Sequence, residues 1–306
     1  MLTLFTTTKA FIGKNRINQL NAIRSWLTAP YPVEVIIFDE VKGDATEELI
    51  NHNRVRIVEN VATNQSGIPR IDAMFDSASR MAQYGILCFL NADIMLPPQF
   101  FSDISAIDKR INKNYLIVGQ RIDVDVDEEV DFSGDWLTTF LEEHPQRKLH
   151  KPTGSDFFVF PKGQYTTENM PELLVGRPGW DLWMIYNAVK RKLKTIDLSF
   201  STKVIHQNHD YSHKKRETQQ EDDNHNYQFF PSHPHHLRYR FQLIACNYYF
   251  SRNELKKNYA RGDIDKFLSI RVLAYGNDWR QRVANKLYYF KFKTIRKLMP
   301  NMYNPN

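Results

Sequence analysis

The sequence predicts an α/β fold: a doubly wound body around a mostly parallel central sheet, followed by a helical C-terminal appendage. Three observations carry this. Short apolar runs such as Ile86-Leu87-Cys88-Phe89-Leu90 lack a helical period, the mark of strands buried on both faces. They alternate with segments of helical spacing through short joints, as parallel sheets require. The runs also end abruptly in polar or acidic residues, as in Asn91-Ala92-Asp93. Open α/β sheets hold their ligands at such strand ends.

Leu2 to Thr6 is the first strand. Asn15 to Leu27 follows with Ile17, Leu20, Ile23 and Leu27 at helical spacing. Val33 to Phe38 is a second β-rich run, ending in Asp39-Glu40, and Val55-Arg56-Ile57-Val58 is a third. Pro69 to Gln83 reads as helix, with Ile71, Met74, Phe75, Ala78 and Ala82 on one face. The strand Ile86–Leu90 comes next, then another from Tyr115 to Gly119. Arg121 to Asp131 is acidic, with Asp123, Asp125, Asp127, Glu128, Glu129 and Asp131. Its alternating acids suggest a calcium loop, but the Gly and spaced Glu of an EF-hand are missing. A solvated acidic loop is the expectation.

Phe157 to Phe160 is another buried strand. Gly176-Arg177-Pro178-Gly179 forms a turn before a helix from Trp180 to Lys192. Thr195 to Leu198 and Lys203 to Ile205 are short strands. Lys214 to Asn226 is polar without period and reads as a mobile loop. From Leu237 the pattern is helical, basic and aromatic. The chain therefore divides into an α/β body (residues 1–213), a polar, His-rich loop (214–236) and a basic aromatic helical appendage (237–306).

Composition bounds the function classes. Hydrophobic residues at 42% and charged residues at 25% fit a globular chain and exclude disordered and fibrous classes. Only 12 glycines argue against a glycine-rich dinucleotide fold. Cys88 and Cys246 both lie in apolar contexts, which fits buried thiols in a reducing, cytoplasmic compartment. The N-terminus opens on strand-like Leu2-Thr3-Leu4-Phe5, so no signal or transit segment is expected. No apolar stretch approaches the roughly 18 residues of a membrane span.

Charge is uneven along the chain. Leu237 to Asn306 holds 15 Lys/Arg against 4 Asp/Glu, a net of +11. The whole chain is +6, so residues 1–236 carry about −5. The basic surplus belongs to the appendage. Either it is the solvated outside of a packed cap, or it meets an anionic membrane surface as a peripheral contact.

Four clusters fall where ligands gather: Thr6-Thr7-Thr8-Lys9, Asp39-Glu40, Asn91-Ala92-Asp93 and Trp180-Asp181. Strand ends one, two and four can converge on one crevice in a parallel sheet. Asp93 there can hold a divalent metal, and a metal can hold a diphosphate. A strand-end Asp also caps turns, and the tripeptide alone leaves both readings open. Asp181 suits a helix first turn through the dipole, yet a carboxylate beside Trp180 can also serve as general base. Seven of the ten histidines lie between His206 and His236. Those in Ile205-His206-Gln207-Asn208-His209 follow a strand and can supply an imidazole ligand. No zinc-finger spacing accompanies them.

Taken in order, these motifs resemble a family. The strand-one threonines, Asp39, Gly67-Ile68-Pro69-Arg70, Asn91-Ala92-Asp93, Gly179-Trp180-Asp181 and the His block are similar to the glycosyltransferases of the GT-A fold. The resemblance covers residues 1–213. It implies a Rossmann-like body, a nucleotide-diphospho-sugar donor and Mn or Mg. Asp93 resembles the last Asp of the family's Asp-x-Asp motif, and Asn91 stands where the first Asp usually stands, bringing hydrogen bonds but no charge. Asp39 matches the base- or ribose-binding acid. Thr6 and Thr8 match the loop that lines the nucleotide, and Arg70 the basic residue that approaches it. Asp181 resembles the catalytic base of inverting members. His206 or His209 resembles the late histidine ligand.

The expected activity is thus hexosyl transfer to an acceptor hydroxyl on a glycan or a lipid-linked carrier. The alternative is a non-catalytic nucleotide- or glycan-binding module of the same fold. A sugar nucleotidyltransferase would need a Gly-rich basic loop after strand one, which Thr7-Thr8-Lys9-Ala10-Phe11-Ile12-Gly13 does not provide. No nucleic-acid partner is expected, because no recognition motif accompanies the basic segment.

Overall fold

The computed structural model describes residues 1–38, 46–111, 113–153, 155–209, 224–230 and 242–258. Asp39 and most of the basic C-terminal segment lie outside the described residues.

A nine-stranded sheet forms the centre. Its strands are β1 (Leu2–Thr6), β2 (Val33–Phe38), β3 (Val55–Val58), β4 (Ile86–Leu90), β6 (Tyr115–Val118), β9 (Phe157–Pro161), β10 (Lys194–Asp197), β12 (Tyr248–Ser251) and β13 (Glu254–Lys257). Their order is β3-β2-β1-β4-β9-β6-β10-β12-β13. Only β9 and β13 run against the rest. The mostly parallel sheet expected from the apolar runs is therefore present.

Both faces are covered, which is why the strands read as unbroken apolar runs. On β1 and β4, Phe5, Leu87 and Phe89 point into one core, while Leu4, Cys88 and Leu90 point into the other. Helices α3 (Ile71–Met81) and α6 (Trp180–Lys190) close the first core with Met74, Phe75, Trp183 and Met184. Helices α1 (Gly13–Leu27) and α4 (Pro98–Ile111) close the second with Leu20, Ile23, Trp26, Phe100 and Ile104. The short helix α2 (Thr46–Ile50) leads into β3.

A second sheet of four strands stands beside the first, in the order β5-β11-β7-β8. It comprises β5 (Ile94–Met95), β7 (Arg121–Val124), β8 (Lys148–Leu149) and β11 (Val204–Gln207), with α5 (Trp136–Glu143) packed on it. This corrects the reading of residues 121–131 as a solvated loop only in its first part, since Asp125, Asp127, Glu128, Glu129 and Asp131 lie exposed in a loop as expected. Arg121–Val124 is a strand, paired in parallel with β11. The rest is latched onto α1: Lys14 meets Asp127, Arg16 and Arg24 meet Glu129, and Asn21 bonds Glu128 and Val130 main-chain atoms. Basic and amide side chains along α1 are what hold the acids.

Two further expectations change. Tyr248–Ser251 and Glu254–Lys257, assigned above to a helical appendage, form an antiparallel hairpin on the sheet edge. Its turn residues Arg252 and Asn253 have φ of 51° and 57°, the left-handed pair of a type I′ turn. Asn226, placed above in a mobile loop, is fully buried. Its amide bonds the backbone of Leu174 at 2.8 and 3.0 Å and of Arg177 at 3.0 Å. Among the described residues, no helix is long and apolar enough to cross a membrane.

Candidate active site

The carboxyl ends of β1 and β4 lie side by side. Thr6 ties them together, its buried hydroxyl donating to the Leu90 carbonyl at 2.6 Å. Beyond Thr6 the chain turns toward α1, and Gln19 clamps that turn. Gln19 accepts from the Lys9 amide at 2.6 Å and donates to the Lys9 carbonyl at 2.9 Å. A cleft of about 750 Å³ opens here. It is lined by Thr6–Lys9, Asn18, Asn91–Asp93, Arg177, Trp180, Asp181 and His209, among others. Of the three strand ends expected to converge, one and four border this cleft and the Gly176–Asp181 segment forms its other wall, while Asp39 after strand two lies outside the described residues.

Asp93 follows β4 and faces two histidines. His209 Nε2 lies 3.1 Å from Asp93 Oδ2, and His206 Nε2 lies 3.7 Å from the same oxygen. Among the described residues, Asp93, His206 and His209 form one group whose ligand atoms all lie within 4.8 Å of one another. β11 supplies this convergence by pairing His206 with Ile94 across β5. Asp93 Oδ1 is buried and has no hydrogen-bond partner among the described residues, an arrangement that costs free energy unless a cation or donor fills the gap.

Burial pushes Asp93 upward, but the His209 hydrogen bond and the charges of His206, His209 and Arg121 outweigh it and hold the carboxyl below its ordinary pKa. Burial is the largest influence on His206 and lowers its pKa, which favours the neutral ring. An ionised carboxylate with a neutral imidazole is a metal-ready set. The residues fit a divalent cation.

A second layer lies behind the first. Arg121 bridges Asp123 (Nε to Oδ1, 2.8 Å) and Asp156 (2.7 Å). Asp156 Oδ1 also accepts from the Asn91 amide at 2.9 Å. His150 Nδ1 stands 2.7 Å from Asp123 Oδ2. Burial alone would raise Asp123, but His150 and Arg121 hold it below its ordinary range. Sequence reasoning named Asp123 only within an acidic run and missed His150 and Asp156, because the three meet only once β7 pairs with β8 and β11 and Arg121 reaches Asp156.

Asp181 sits in the first turn of α6, on the cleft wall. Burial is the chief cause that lifts its pKa to about 6; backbone hydrogen bonds at Leu182 and Asp181 oppose this, and the charge of Asp156 adds to it. Trp180 lines the cleft while its ring packs on Phe89 and Phe158, with centroids 5.2 and 5.0 Å apart. Thr8 Oγ1 is buried on the cleft without a hydrogen-bond partner among the described residues. Arg70 is placed differently. Its guanidinium bonds Asp72 at 2.7 Å and Glu172 at 2.8 Å, and Gly67 and Pro69, rather than Arg70, line the cleft.

No protein-family model and no curated protein sequence matches the chain. Solved structures align with parts of the chain. S. aureus TarS 1-349 in complex with UDP-GlcNAc aligns at 12% identity over 78% of this chain and 70% of that one, with a TM-score of 0.48. TarS 1-349 in a second structure aligns at 13% identity, 67% and 60% coverage and a TM-score of 0.44. A mannosyltransferase from Pyrobaculum calidifontis, PcManGT, in complex with GDP-Man and Mn²⁺ aligns at 13% identity, 67% and 56% coverage and a TM-score of 0.40. The chain thus spans 60% of the length of TarS 1-349 in one comparison and 56% of PcManGT.

Proposed function

We propose that the chain is a glycosyltransferase. It moves a hexosyl group from a nucleotide-diphospho-sugar to an acceptor hydroxyl, with a divalent cation and in one inverting displacement. One observation carries this reading: a single cleft joins a metal-ready Asp/His group to a separate carboxylate, Asp181, whose pKa is about 6.

Asp93, His206 and His209 hold the cation. Two imidazole nitrogens are poor ligands for Mg²⁺, which prefers oxygen, so the donor set favours Mn²⁺ over Mg²⁺. When bound, the cation offsets the charge that grows on the departing diphosphate. Asp181 takes the acceptor proton while the acceptor oxygen bonds to the anomeric carbon and the bond to the diphosphate breaks. A pKa near 6 leaves Asp181 mostly ionised at pH 7, yet basic enough to accept a proton.

The remaining residues bind and orient the donor. Thr8 offers its free hydroxyl to the nucleotide, and Thr6 fixes the loop that presents it. Asn91, its amide tied to Asp156, leaves its carbonyl oxygen to accept from a ribose hydroxyl. Asp39 remains the assigned partner of the base or ribose. Arg70 holds the 67–70 turn through Asp72 and Glu172 while Pro69 touches the cleft. A glycan or lipid-linked carrier presents the acceptor hydroxyl. A cytoplasmic setting suits Cys88 and Cys246, both of them buried.

Calorimetric titration of UDP and GDP, with and without Mn²⁺, tests the site. At least one should bind in a Mn²⁺-dependent way, and Asp93→Ala should abolish that binding. Failure of both nucleotides to bind with Mn²⁺ present contradicts the reading. Binding without turnover of any nucleotide sugar would instead select the non-catalytic module.

A further inference from the structure

We infer that Asp123 is a positioning residue for the metal centre: it holds His206 in the tautomer and orientation that present Nε2 to Asp93. The inference rests on the metal reading above. Its geometric basis is the pairing of β7 with β11, in which Asp123 stands opposite His206. Main-chain bonds between parallel neighbours fix that register, and opposed residues share a face of the sheet.

Asp123 is itself held on both sides. Its Oδ1 accepts from Arg121 at 2.8 Å, and its Oδ2 lies 2.7 Å from His150 Nδ1. Arg121 is anchored in turn by Asp156 at 2.7 Å. The carboxylate is therefore fixed before any ligand arrives. His206 Nδ1 lies 3.1 Å from Asp123 Oδ1, close enough to pair but without the alignment of a hydrogen bond.

The position of the ring proton follows from these contacts. With the proton on Nε2, the Nδ1 lone pair would face a carboxylate oxygen at 3.1 Å, a repulsive contact inside a buried pocket. With the proton on Nδ1, the contact becomes attractive and a small ring rotation completes the bond. The Nε2 lone pair is then free, and Nε2 is the atom 3.7 Å from Asp93 Oδ2. Carboxylates that fix a ligand histidine in this way typically contribute about 10–100-fold to metal affinity.

Two readouts on the full chain test this. Long-range ¹H–¹⁵N NMR of the metal-free protein reads the His206 tautomer, and EPR of free Mn²⁺ reads metal uptake with no nucleotide present. Wild-type His206 should carry its proton on Nδ1. Asp123→Asn should lose that preference and weaken Mn²⁺ binding by about 10–100-fold, while circular dichroism shows a folded chain. A wild-type proton on Nε2, or unchanged Mn²⁺ affinity in folded Asp123→Asn, overturns the inference and leaves the metal reading standing. Wild-type protein that takes up no Mn²⁺ overturns the metal reading and this inference with it. The tautomer is read on wild-type protein, so it decides even if the variant does not fold.

Discussion

Asp181 and Asp93 show how the same side chain is given two roles by its surroundings. Burial dominates at Asp181 and raises its pKa to about 6, whereas histidines and Arg121 prevail over burial at Asp93 and hold it low. Asp181→Asn keeps the shape and removes the base. Turnover should fall by about 10²–10⁴ with nucleotide affinity unchanged, and the wild-type rate should rise with pH through about 6. An unchanged turnover number would remove Asp181 from the mechanism. The same substitution has a stability signature. The folded pKa is raised above the ordinary value near 4, so stability falls as pH rises from about 4 to about 6 and stays lowered above that. Asp181→Asn should therefore raise Tm by a few degrees near pH 8 and scarcely at all near pH 4. Equal shifts at both pH values would contradict the burial argument. The sequence brought Asp93, His206, His209 and Asp181 to notice, because each follows or opens a recognisable element. Asp123, Asp156 and His150 were not legible as a group, since it assembles only when β7 pairs with both β8 and β11 and Arg121 reaches Asp156.

Elements position these side chains, and Gly179 is the tightest case. It precedes α6 with φ of 101°, and an added Cβ would lie 2.5 Å from the Tyr227 ring. Gly163 also has positive φ, 80°, but an added Cβ would meet nothing within 4 Å. Gly163→Ala should cost about 1–2 kcal/mol from backbone strain alone. Gly179→Ala should cost more, because Tyr227 must move as well, and should also weaken turnover by shifting Asp181. Urea unfolding of the two variants separates strain from crowding; equal losses would show that Tyr227 yields freely. The strands of the central sheet within the body were legible from their two-sided burial, whereas β5, β7 and β8 were not. The hairpin Tyr248–Lys257 was not. Aromatic residues suit strand and helix alike in a short window, and pairing with β10 decided between them. Docking of Asn226 was equally hidden, since its partners are main-chain atoms of Leu174 and Arg177.

The molecule as a whole sets a nucleotide-sized cleft at the carboxyl edge of a nine-stranded sheet and carries its positive surplus in the C-terminal segment. A net of +11 over residues 237–306 is enough to test for membrane attraction, at roughly 1 kcal/mol per basic residue near an anionic surface. The chain should float with anionic but not neutral liposomes, and high salt should release it. No flotation at low salt would leave a packed cap and an acceptor free in solution. The central claim is that the Asp93–His206–His209 group and Asp181 together transfer a sugar from a nucleotide diphosphate. Its most direct test is Mn²⁺-dependent release of nucleoside diphosphate from a panel of UDP- and GDP-sugars. The wild-type chain should release product from at least one donor only with Mn²⁺ present, and Asp93→Ala should release none while remaining folded. Release that persists in Asp93→Ala, or no release from any donor with Mn²⁺ present, would contradict it.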